Sequence, residues 1–228
     1  MKKLGPVESA QQLAELIQQV GFVPLFRGGV PGYSVEELTP EHLWWTGEDS
    51  APWQWRALLA ARPDVAYGKL FGKKAGFVAR AWYPVLAACR RDGYDYDARY
   101  EEGLLPRREY RLMQQLEGGE RLAAHELRRR AGFGKGGEPG FEGAVTSLQM
   151  QCYVLVGGFA RKRARDGREY GWPVSLYCTP EGKFGADEVR AGYRLGREEA
   201  LGQMEEHLAR FLPQAEGPAL RRLLGWRK

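Results

Sequence analysis

Apolar residues recur every three or four positions along much of this chain, and these stretches are separated by shorter extended runs. Leu13, Leu16, Ile17 and Val20 keep helical spacing, behind a Ser9-Ala-Gln-Gln12 run with the form of a capping box and ahead of a closing Gly21. Phe22 to Phe26 reads as extended, and Arg27 to Gly32 as a Gly/Pro loop. A helical turn starts at Ser34, and Thr39-Pro40-Glu41 places a cap and a proline at the head of a helix carrying Leu43, Trp44 and Trp45. Pro52 opens another helix, its inward face formed by Trp55, Leu58 and Leu59. Val65 to Phe71 and Ala75 to Ala79 predict a hairpin joined through Gly72-Lys73-Lys74, and Arg80 to Arg91 a helix burying Trp82, Leu86 and Cys89. Asp92 to Asp97 reads as a solvated turn, because its carboxylates lack the spacing of a calcium loop.

Beyond Pro106 the pattern changes to three helices followed by a hairpin. The helices are predicted at Arg107 to Glu117, at Leu122 to Ala131, which is strongly basic, and at Phe141 to Val156, with Gly132 to Gly140 as connector. Asp166-Gly167 then suits a type I′ turn, which needs positive φ at both central residues. The return strand runs through Tyr170, Trp172, Val174, Leu176 and Tyr177, and Pro173 assigns it to a sheet edge. Three helices and a basic hairpin are the order of a winged helix-turn-helix. The expected class is therefore α+β, mainly α. It has an N-terminal α+β module at 1–106, a winged-helix domain at 107–180 and a helical segment at 181–228, with a helix over about Arg197 to Leu212. No internal repeat of fixed period is visible.

Composition narrows the class. The 228 residues are 43% hydrophobic and 12% aromatic, ordinary for a globular protein with one large or two small domains. The longest apolar run is only Cys152 to Val156, and the N-terminus runs into an amphipathic helix, so neither a membrane span nor a signal core is expected and the location reads as cytoplasmic. Cys89, Cys152 and Cys178 lack metal-ligand spacing and read as reduced, buried thiols, so no metal is expected. The three histidines are isolated, and no nucleophile signature appears. Gly132-Phe-Gly134-Lys135-Gly136-Gly137 has the outline of a phosphate loop, but it follows a helix and lacks the Ser/Thr after Gly-Lys, so no nucleotide cofactor is expected. Lys135 remains a candidate phosphate contact.

The net charge of +5 is unevenly placed. Residues 1–106 carry 12 Lys and Arg against 13 Asp and Glu, whereas residues 107–170 carry 13 against 8. Arg161, Lys162, Arg163, Arg165 and Arg168 crowd the hairpin tip, where cations reach phosphates and release counterions with little sequence preference. A lysine- and arginine-protected sheet edge is the alternative. On the third predicted helix, Phe141, Val145, Leu148, Cys152 and Leu155 share one face; the opposite face, with Thr146, Met150 and Tyr153, suits base edges in a major groove. The same face also suits an interior helix packed on both sides. Trp44, Trp45, Trp53 and Trp55 suit a small-domain core or a pocket that stacks a flat ligand.

Several segments resemble the proteins called AlkZ-related: Trp53-x-Trp55-Arg56, Val65 to Val78, Trp82-Tyr83-Pro84, Gly132 to Lys135, Leu148-Gln-Met-Gln151 and Glu169-Tyr-Gly-Trp172. The resemblance implies winged helices, double-stranded DNA as partner, a link to DNA repair, and DNA glycosylase chemistry on alkylated or crosslinked bases. It also implies a Gln–apolar–Gln triplet that positions water, here Gln149-Met150-Gln151, with Gln149 and Gln151 as the catalytic pair. Residues i and i+2 of a regular helix point about 200° apart, so the two amides share a face only in an extended or distorted segment. Three readings follow: a DNA-binding winged-helix protein, an AlkZ-like glycosylase, and a protein-interaction winged helix without a nucleic-acid role.

Overall fold

In the computed structural model, which describes residues 4–44, 51–134, 136–164 and 166–226, helix α1 (Ala10–Val20) starts at the predicted cap. Ser9 Oγ accepts the Gln12 N–H at 3.2 Å, and Gln12 Oε1 accepts the Glu8 N–H at 2.7 Å. Strand β1 (Phe22–Pro24) and the short helix α2 (Val35–Leu38) follow. The helix expected after Thr39 is only a 3₁₀ turn over Glu41–Leu43, and Trp45 lies outside the described residues. Helix α3 (Pro52–Ala61) buries Trp55 and Leu59 but leaves Leu58 at 59% exposure. Leu58 is one position, about 100°, off Leu59, and the apolar stripe is too narrow to include it. Strands β2 (Val65–Phe71) and β3 (Lys74–Ala79) complete an antiparallel sheet of order β1-β3-β2.

A 3₁₀ turn at Arg80–Trp82 leads into α4 (Tyr83–Arg91), so the predicted helix starts three residues late. The predicted turn at Asp92 to Asp97 contains a helix start instead: Asp95 Oδ1 accepts the Ala98 N–H at 2.9 Å and caps α5 (Tyr96–Glu101).

The second half runs α6 (Arg107–Gln114), β4 (Leu122–Ala123), α7 (Ala124–Arg130), α8 (Phe141–Met150), β5 (Leu155–Arg163) and β6 (Glu169–Cys178), with sheet order β4-β6-β5, again antiparallel. Residues 10–79 and 107–178 thus share one succession, helix, strand, helix, helix, strand, strand, and one strand order. Unequal connections between the matching elements hide this recurrence from any fixed-period search.

Three sequence expectations are corrected here. Helix α8 ends at Met150, not at Val156. Cys152 takes the left-handed conformation (φ 63), and the Tyr153 and Cys152 N–H groups return to the Leu148 and Gln149 carbonyls at 2.9 and 3.0 Å, a Schellman stop. The Cys152 carbonyl is then taken by Tyr83 Oη–H at 3.0 Å and by Arg91 through Nε at 3.2 Å and Nη2 at 2.6 Å. Second, Gly167 has positive φ (84), yet it closes the turn that starts at Ala164 instead of standing at a central position of it. The hairpin end is held by Gly167 N–H on the Ala164 carbonyl at 3.0 Å and Ala164 N–H on the Arg168 carbonyl at 2.9 Å. The I′ pattern appears instead at Gly72 (φ 56) and Lys73 (φ 69), in the β2–β3 turn. Third, the predicted second helix begins with strand β4, and β6 is the central strand. Pro173 is tolerated because β4 reaches only Tyr177 and Leu176, which leaves β6 one-sided at the proline.

The C-terminal helices α9 (Pro180–Phe184), α10 (Ala186–Ala191), α11 (Arg197–Ala209) and α12 (Gly217–Leu223) follow, with α10 and α11 packing on α4. Arg91, 2% exposed, ties them in by donating to Glu181 Oε1 at 2.6 Å and Tyr193 Oη at 2.8 Å. One apolar core runs from Val7 to Leu224. Among the described residues no helix is long and apolar enough to cross a membrane.

Candidate nucleic-acid interface

The two similar halves meet along a seam in which α3 and β2 lie against α8 and β5. Gln149 joins them. Its Oε1 accepts the Lys69 backbone N–H at 2.8 Å, and its Nε2 donates to the Val145 carbonyl at 3.1 Å. A Cβ on Gly68 would stand 2.9 Å from that Oε1, so glycine is what lets α8 come this close to β2. Lys69 Nζ donates to Thr146 Oγ1 at 3.1 Å, and the Lys73 N–H points at Met150 Sδ at 3.2 Å.

This packing settles the predicted outward face of α8. Thr146 is 8% exposed and Tyr153 2%, the latter donating from Oη to the Tyr94 carbonyl at 2.8 Å. Neither is presented on an open surface, because β2 and α5's entry loop satisfy the polar groups that the sequence aimed at a major groove. The packed-helix alternative describes this segment.

Along the seam lie three clefts, successive ones sharing lining residues. The first, of about 810 Å³, is lined by Lys69, Lys73, Arg90 and Arg108 around Glu109, Ser147 and Gln151. It shares Lys69 and Lys73 with a cleft of about 380 Å³, where Tyr67, Phe159 and Tyr177 surround Gln149. That one shares Phe26 and Trp53 with a third, of about 930 Å³, lined also by Trp44 and Trp172. Arg56 lies over the Trp53 ring at 3.6 Å and the Phe159 ring at 4.6 Å. Among the described residues, Lys69, Lys73, Arg90 and Arg108 form no ion pair. A cleft rimmed by unneutralised cations focuses positive potential and draws polyanions.

The basic hairpin rises from the rim of these clefts, since Phe159 and Trp172 belong to its strands. Arg161, Lys162 and Arg168 are exposed and form no ion pair among the described residues. Lys135, Arg165 and the Arg163 side chain lie outside the described residues. The three cysteines are free and buried, and burial pushes the Cys89 thiol to about 11 and raises Cys178.

The family model described as AlkZ related matches residues 7–225. The chain belongs to the AlkZ-related family. Neither the curated proteins nor the solved structures give a match. In this AlkZ-related protein the Gln149-Met150-Gln151 triplet straddles the end of α8, and its two amides lie beside different clefts. Gln149 is 1% exposed and bonded at both ends of its amide; Gln151 lines the cationic cleft. Sequence reasoning passed over Lys69, Arg90, Arg108 and Glu109, which come from separate elements and carry no local motif. The Lys73-Lys74 pair in a hairpin turn was the one hint.

Proposed function

We propose that this AlkZ-related protein binds duplex DNA and hydrolyses the N-glycosidic bond of a damaged base, a DNA-repair activity. Residues 107–180 act as a winged helix in which the hairpin, not α8, meets the DNA. The succession from α6 to β6 and the strand order β4-β6-β5 support this reading. Arg161, Lys162, Arg163, Arg165 and Arg168 contact phosphates along one groove, and Lys135 binds a further phosphate. The strand then passes over the seam, where Lys69, Lys73, Arg90 and Arg108 neutralise it.

The observation that carries the proposal is the placement of Gln151 inside that cationic cleft. The carboxamide is held by its nitrogen, which donates to Ser147 Oγ at 3.0 Å and to Glu109 Oε2 at 3.1 Å. Among the described residues its oxygen has no partner and is placed to accept from a water. A base must leave the stack before its sugar can be attacked, and Trp53, Trp44 and Trp172 offer flat faces for it in the cleft beyond the one that Gln149 lines. Binding of a duplex in a salt titration, together with alkali-labile sites appearing in alkylated duplex, tests the proposal. Retention that ignores salt removes the DNA reading.

A second reading, DNA binding without excision, draws on Gln149. Both ends of its amide are committed to backbone groups, so only one member of the triplet faces the cleft. Salt-sensitive binding without abasic sites on any alkylated duplex favours that reading.

A further inference from the structure

Gln151 rests on a carboxylate. Glu109, on α6, is only 3% exposed, yet it lines the cationic cleft. Its Oε2 accepts from Ser147 Oγ–H and from Gln151 Nε2, both at 3.1 Å, and among the described residues nothing bonds to Oε1. Around it stand Arg108 on its own helix, Arg99 on α5, Arg90 on α4, Lys69 on β2, Lys73 in the following turn and Arg197 on α11, with Glu142 on α8 as the other acid. None of these cations forms an ion pair with Glu109. A carboxylate kept only for structure is ordinarily paired or fully hydrogen-bonded when buried. This one keeps an oxygen open toward a cleft.

We propose that Glu109 is the charged group of the reaction centre: it faces the sugar C1′, stabilises positive charge there, and takes a proton from the water that Gln151 holds. The inference rests on the glycosidic-hydrolysis reading above. As the C1′–N bond breaks, its electron pair leaves with the base; a base made cationic by alkylation departs neutral and needs no proton. The water oxygen gives an electron pair to C1′, and its proton passes to Glu109 and then to solvent. The products are the free base and an abasic hemiacetal. Burial raises the Glu109 pKa above its ordinary value, in the direction that suits a proton acceptor.

Two abasic-site analogues test this without a known lesion: duplex DNA carrying a neutral tetrahydrofuran, and duplex DNA carrying a cationic pyrrolidine that mimics the charged sugar. Wild type is expected to bind the cationic duplex roughly tenfold or more tightly than the neutral one, since sites complementary to a charged transition state prefer its mimics. Glu109→Gln keeps the shape and an acceptor oxygen; its ratio of affinity for the cationic over the neutral duplex is expected to fall to about one. In wild type alone, the preference should fall as pH drops through the Glu109 pKa. A preference that survives in Glu109→Gln, or that ignores pH, overturns the proposal while leaving DNA binding intact. Failure to bind either duplex overturns the DNA reading itself.

Discussion

Gln149 Oε1 accepts the backbone N–H of Lys69 at 2.8 Å, and through that bond helix α8 is fastened to strand β2 across the seam. The bond is partly buried and reaches a strand 80 positions away in the chain. Replacing Gln149 by Ala leaves the Lys69 N–H and the Val145 carbonyl without these partners. The expected cost is about 1–3 kcal/mol of stability, the range for buried unsatisfied polar groups. Urea unfolding checks it; a change within error of zero would mean that water replaces the amide without loss.

Arg91 is the second fastening. Its guanidinium holds the Cys152 carbonyl that follows α8, and Glu181 at the start of the C-terminal helices. Arg91→Met is expected to cost about 3–5 kcal/mol, because it strips the Glu181 carboxylate of its partner and leaves the Cys152 carbonyl to Tyr83 alone. Thermal denaturation of the variant should show a lowered midpoint; an unchanged one contradicts the role assigned to Arg91.

The hairpin cations behave differently. Arg161, Lys162 and Arg168 are exposed, so replacing all three by Ser should leave the unfolding midpoint almost where it was. Duplex binding should weaken, and the slope of log Kobs against log salt should fall by about 0.9 for each phosphate that is no longer neutralised. An unaltered slope would mean that the hairpin does not touch DNA.

Glu109 gives a pH signature of its own. Burial raises its folded-state pKa above the ordinary value of 4.5. The folded protein therefore holds that proton more firmly than the unfolded chain, which favours folding below pH 4.5. That advantage is lost as pH rises through the folded pKa. Glu109→Gln removes the penalty of the buried charge and should unfold at a higher temperature than wild type at neutral pH, with the gap closing in acid. A variant less stable than wild type at neutral pH would show that the charge is stabilising.

Much of this arrangement was legible in local pattern. Ser9 and Gln12 announced α1, Gly72-Lys73-Lys74 announced the first hairpin, and the Arg161 to Arg168 run the second. The end of α8 was not legible, since Cys152 stands where a helix stop usually has glycine, and what holds that stop is Arg91, 61 positions away. Thr146 and Tyr153 were misplaced for the same reason: a polar helix face reads as solvent-exposed until the strand that satisfies it is known. Glu109 carries no motif at all; only packing of α6 on α8 brings it to Gln151.

Base excision itself is the most direct measurement. Under single-turnover conditions, with alkylated duplex saturated by protein, wild type should generate alkali-labile abasic sites. Gln151→Ala should be slower by about 100-fold or more, the scale of positioned proton-transfer and water-activating groups. Equal rates in the two proteins, or no abasic sites from wild type on any alkylated duplex it demonstrably binds, would contradict a catalytic cleft at Gln151.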